Sequence, residues 1–99
     1  MVKHIVLFKL KDTLSQTEKE NVMNQFKEAI EKLPAVITFI RSIEVGLNMN
    51  PDEHWDIALY SEFDSLEDVK KYAVHPEHVK AGKIIAEAKD DRACVDYTI

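Results

Sequence analysis

Residues 2–11 alternate in the manner of a β-strand, with His4, Val6, Phe8 and Leu10 on one face and Lys3, Ile5, Leu7, Lys9 and Lys11 on the other. Both faces are apolar in the middle. A strand of an antiparallel sheet that carries helices on one side usually turns its other face to water, so this strand demands cover on both sides. The requirement points to a helix-backed sheet whose second face is also buried, by a layer beyond one copy of the chain.

The remaining segments supply the layers in order. Ser15 and Glu18 fit a capping box. Val22, Met23, Phe26, Ala29, Ile30 and Leu33 then recur at spacings of three and four, which predicts an amphipathic helix ended by Pro34. Residues 39–47 and 55–63 alternate again as the second and third strands, joined by the turn-rich segment NMNPDEH at 48–54. Ser65 and Asp68 open a second helix through Val69, Tyr72 and Ala73, and Pro76 suits the first turn of a new one, with Val79, Ile84, Ile85 and Ala88 as its inner stripe. Residues 93–99 form the last strand. The order β-α-β-β-α-β predicts an α+β, ferredoxin-like domain over residues 1–99, in which helices cover one face of a four-stranded antiparallel sheet. The other face would expose more apolar surface than a lone monomer usually tolerates, which predicts a homodimer packed sheet to sheet.

A formal charge of -5, with lysines scattered among acids, argues against nucleic acid as a partner, because phosphate neutralisation needs a basic stripe. The opening MVKHIVLFKLKD is too short to span a membrane and lacks a small-residue cleavage site, so no membrane association is expected. A single cysteine, Cys94, has no partner for an internal disulfide; the expectation is a buried, inert thiol in a cytoplasmic protein. The two glycines, Gly46 and Gly82, are too far apart to build a phosphate loop, and no cofactor is expected.

Candidate chemistry concentrates in FDSLEDVKKYAVHPEHV, residues 63–79. With Pro76 at the first helical position and His75 as cap, His78 falls in the first turn, where the helix dipole disfavours the imidazolium and leaves a neutral base at pH 7. The bland alternative is a packing residue satisfied by a backbone carbonyl or by Tyr72. Tyr72, on the apolar face with Val69, is either a core ring or a donor to a carbonyl oxygen that gains negative charge. His75 and His78 are three apart, but tetrahedral zinc needs three or four ligands and no second cluster completes the set, so no metal is expected. His4, Phe8, Trp55 and His75 are the ligand-binding candidates, with ordinary core packing as the alternative for the first three. Asp56 and Glu62 read as solvated charges.

HIVLFKLKD, SIEVGLN, FDSLEDVKKYAVHPEHV and the closing ACVDYTI, in this order, resemble the stress-responsive dimeric α/β-barrel (Dabb) family over essentially the whole chain; YxxHPxHV is the most specific of these patterns. The resemblance implies a homodimer whose two sheets close into a barrel, with a pocket in each half. One branch of that family, plant polyketide cyclases of the olivetolic acid type, performs a cofactor-free aldol condensation, and its catalytic tyrosine and histidine fall on Tyr72 and His78. His4 matches a further histidine of that branch. Where the branch has a histidine in the third strand, this chain has Ile57. Three functions stay open: a cofactor-independent cyclase or lyase on a carbonyl or polyketide-like compound, a non-catalytic binder of a small apolar or phenolic ligand or structural stress protein, and a cofactor-free monooxygenase or isomerase. Catalysis would need Tyr72 and His78 on one cavity of about 300 Å³ or more.

Overall fold

Ser15 caps the first helix as its spacing predicts: its hydroxyl accepts from the Glu18 amide at 3.1 Å, and the Glu18 carboxylate accepts from the Ser15 amide at 2.9 Å. A computed structural model describes all of residues 1–99. The elements are β1 (Val2–Leu10), α1 (Gln16–Glu31), β2 (Ser42–Leu47), β3 (Ile57–Phe63), α2 (Leu66–Val74), α3 (Pro76–Gly82) and β4 (Lys89–Thr98), with a 3₁₀ turn at Leu33–Ala35. The strands lie in the order β2-β3-β1-β4 and every neighbouring pair is antiparallel, which is the ferredoxin-like arrangement.

Helices cover one face of the sheet. Val6, Phe8 and Leu10 of β1 and Leu59 and Phe63 of β3 bury their side chains there, in one core with Met23, Phe26 and Ile30 of α1 and Val69 and Tyr72 of α2. The opposite face is left open in the single chain: Ile5 and Leu7 are half-buried, while Val95 and Tyr97 are 53% and 40% exposed. No helix is long and apolar enough to cross a membrane.

Several boundaries depart from the periodicity. β2 begins at Ser42, not at Phe39, because residues 36–41 turn to bury Ile37 and Ile40 instead of continuing the strand. β4 begins at Lys89, four residues early, since the Lys11 amide donates to the Ala88 carbonyl and Leu10 pairs with Lys89. Ile85 and Ala88 do pack inward, but from turns that follow α3 rather than from the helix itself. Lys9, placed outward by alternation, is 9% exposed; its ammonium bends to the Leu10 carbonyl and to Asp12, both at 2.9 Å. Cys94 corrects the expectation of a buried thiol: β4 is an edge strand and the cysteine is exposed.

Candidate functional site

The break at Pro76 builds the site. His75 leaves helical geometry at φ −63°, ψ 134°, and its Nδ1 accepts from the Glu77 amide at 3.1 Å, capping α3 with Pro76 as the first helical residue. The chain therefore doubles back, and His78 comes to rest over Tyr72 with ring centroids 4.3 Å apart at 54°. Nδ1 of His78 lies 3.0 Å from the Ala73 carbonyl oxygen. A carbonyl accepts only, so the neutral ring carries its proton on Nδ1 and its lone pair on Nε2.

Burial is the main reason that His78 titrates below the ordinary imidazole value; the nearby charges of His4, Arg92 and His75 add to it, and the bond to Ala73 opposes it. Desolvation thus favours the same neutral ring that the helix dipole suggested from sequence. Tyr72 is 1% exposed, and its hydroxyl has no hydrogen-bond partner. Burial holds the phenol far above its usual range, so it remains a protonated donor.

Tyr72, His78, His4 and Phe8 line one cavity of about 180 Å³, closed by Phe26, Leu59, Ile85 and Arg92. This is smaller than the 300 Å³ expected above. A dry apolar cavity of about 150 Å³ still holds a benzene ring, so the space suits a compound of that size. His4 stands edge-on to Tyr72 at 6.2 Å, and its Nδ1 contacts the Asp96 carboxylate.

Two of the ligand-binding candidates lie elsewhere. His75 is occupied as the α3 cap, and Trp55 packs edge-on against His54 at 5.0 Å, beside a separate hollow lined by Leu7, Leu47 and Ile57. Arg92 and Asp96 escaped the sequence reading. With β4 begun at Lys89, Arg92 comes opposite Phe8, and Asp96 comes opposite His4, a pairing that no single strand announces. Asp56 and Glu62 are not the solvated charges they resemble. Asp56 accepts from the Leu10 amide at 2.7 Å and lies 3.6 Å from the Lys9 ammonium, while Glu62 pairs with Lys3 and accepts from the Tyr60 hydroxyl at 2.9 Å.

Comparison with known proteins agrees with the fold. The model of the stress responsive A/B barrel domain matches residues 2–99. Olivetolic acid cyclase of Cannabis sativa is 26% identical over 97 residues, covering 98% of this chain and 95% of that protein. A stress-response A/B barrel domain-containing protein of Arabidopsis thaliana is 31% identical over 98 residues; the match takes in 98% of this chain but 46% of that longer protein. A dimeric protein of unknown function and ferredoxin-like fold from Bacteroides fragilis superposes with a TM-score of 0.97 at 71% identity, over 99% of this chain and 95% of that one.

Proposed function

This chain belongs to the stress-responsive A/B barrel domain family, and we propose that it binds a small carbonyl compound in the cavity lined by Tyr72 and His78 and removes a proton from it without a cofactor. The observation that carries this reading is the orphaned Tyr72 hydroxyl. A buried donor without an acceptor costs about 1–3 kcal/mol, and a bound carbonyl oxygen would relieve that cost.

Nε2 of His78 takes the proton from the carbon beside the carbonyl. The C–H electron pair becomes the C=C bond of an enolate, and the negative oxygen accepts a hydrogen bond from Tyr72. Burial disfavours the resulting imidazolium, which favours return of the proton to the product. The enolate then adds to a second carbonyl, expels a leaving group or is reprotonated, giving cyclase, lyase or isomerase chemistry from one first step. The likeness to a cyclase supports the first of these; a cavity of about 180 Å³ favours a substrate near the size of one ring over a long polyketide.

The working unit of this reading is a homodimer. Ile5, Leu7, Val95 and Tyr97 present an apolar sheet face, and the Bacteroides fragilis protein, at 71% identity, is dimeric. Cys94, unpaired, suits a reducing cytoplasm.

The test is proton exchange. Small ketones and phenolic ketones incubated in D₂O with the protein should gain deuterium at the α-carbon, and His78→Ala should lower that rate by at least about 100-fold with its circular dichroism unchanged. Ligand-induced thermal shifts without exchange would instead make the domain a binding module, and neither signal would remove the pocket from consideration.

A further inference from the structure

Beside the cavity, at His4 of its wall, lies a second group of side chains that the proposed reaction does not use. We propose that His4, Cys94 and Asp96 form a site for a divalent transition-metal ion, zinc by the character of its donors. His4 lies on β1, directly opposite Asp96 of β4, and Cys94 pairs with Val6 one step along the same ladder. All three side chains therefore leave the sheet on its helix-bearing face. Their donor atoms lie within 4.8 Å of one another.

The nitrogen–sulfur spacing fits a tetrahedral ion. Zinc bound to nitrogen at about 2.0–2.1 Å and to sulfur at about 2.3 Å sets these two donors about 3.6 Å apart; Cys94 Sγ is 3.7 Å from His4 Nδ1. The Asp96 carboxylate hydrogen-bonds the same nitrogen and has to draw back by about 1 Å for an ion to enter between them. That convergence excludes a nucleophile–base–carboxylate relay, in which thiol and carboxylate occupy opposite nitrogens of the ring. Here both address Nδ1, so an ion that takes the place of the proton on that nitrogen would have all three donors around it.

The donor set selects the metal. A thiolate with an imidazole suits zinc and discriminates against magnesium and calcium, which prefer oxygen alone. Binding displaces the thiol proton to solvent and requires the imidazole proton to move from Nδ1 to Nε2, and the thiolate and carboxylate then neutralise the two positive charges. Three protein ligands leave the fourth position open, as in zinc sites that meet a substrate rather than purely structural ones. His4 belongs both to this trio and to the cavity wall, so the ion would stand beside whatever the cavity holds. The site does not depend on the proposed proton abstraction, which uses Tyr72 and His78.

Cobalt titration of the chelator-stripped full chain tests the site, because cobalt reports its ligands by absorption. The expected result is one ion per chain, with a thiolate-to-cobalt charge-transfer band in the near ultraviolet and the intense visible bands of tetrahedral cobalt, all displaced by zinc. Cys94 and Asp96 are exposed, so their variants should fold where a change at buried His4 need not. Cys94→Ser should erase the thiolate band, and Asp96→Asn should weaken binding by more than about 100-fold, beyond the cost of losing an outer-sphere partner. His75→Ala should leave both signals unchanged. Cobalt bound without the thiolate band, or an Asp96→Asn affinity equal to wild type, or loss of binding in His75→Ala to the same degree, would overturn the assignment.

Discussion

A buried phenol that donates to nothing is a liability for stability, and Tyr72 is also one of the residues that line the cavity. Tyr72→Phe keeps the ring and removes the orphaned hydroxyl. The variant should gain about 1 kcal/mol in urea unfolding while losing exchange activity, the opposing changes expected where a site carries strain for function. A purely structural tyrosine with a satisfied hydroxyl would lose stability instead. His78 makes a pH prediction. Its folded pKa lies below the ordinary 6.5, so the unfolded chain takes up the proton first as pH falls. The stability tied to its neutral ring is complete above 6.5 and declines as pH drops from there through the lower folded value. Urea midpoints compared at about pH 7.5 and pH 5.5 should separate more for wild type than for His78→Gln; equal separations would mean that burial does not hold this ring neutral.

At the scale of elements, the end of β1 is fastened by a residue outside any strand. The Asp56 amide donates to the Phe8 carbonyl at 2.9 Å, and its carboxylate accepts from the Leu10 amide while facing buried Lys9. Asp56→Leu strands the Leu10 amide and removes one of the two carboxylates near Lys9. It should cost about 2 kcal/mol. Asp56→Asn, which retains an acceptor for Leu10, should cost less than half as much, and equal losses would show that the charge rather than the strand end matters. The α2–α3 junction works in the same local way: His75 and Pro76 stop one helix and start the next, and that turn sets His78 over Tyr72.

For the whole molecule, the open sheet face is where the proposed dimer would pack. Val95 lies opposite Ile5 and is 53% exposed in the single chain. Light scattering at micromolar concentration should report about twice the 11.4 kDa chain mass. Val95→Asp should yield monomers or prevent folding, because a carboxylate buried without a partner in the interface costs several kcal/mol. Wild-type mass and stability in that variant would show that water, not a second copy, covers the face.

The capping box at Ser15, the α1 stripe, the helix break at Pro76 and the alternation of β1 were all legible in the sequence, because each is a relation among residues a few positions apart and each is enforced by local geometry. The order of those elements was enough to specify the ferredoxin-like fold. What sequence could not reach are relations across the sheet. The early start of β4 follows from a bond between Lys11 and Ala88, and it brings Arg92 to the cavity. The meeting of His4 with Asp96 and Cys94 joins residues some ninety positions apart. Phe8 and Trp55 looked equivalent as strand aromatics, yet Phe8 lines the cavity and Trp55 does not. Strand register and the space left between packed side chains depend on every partner at once, so they exist only when the tertiary structure has closed.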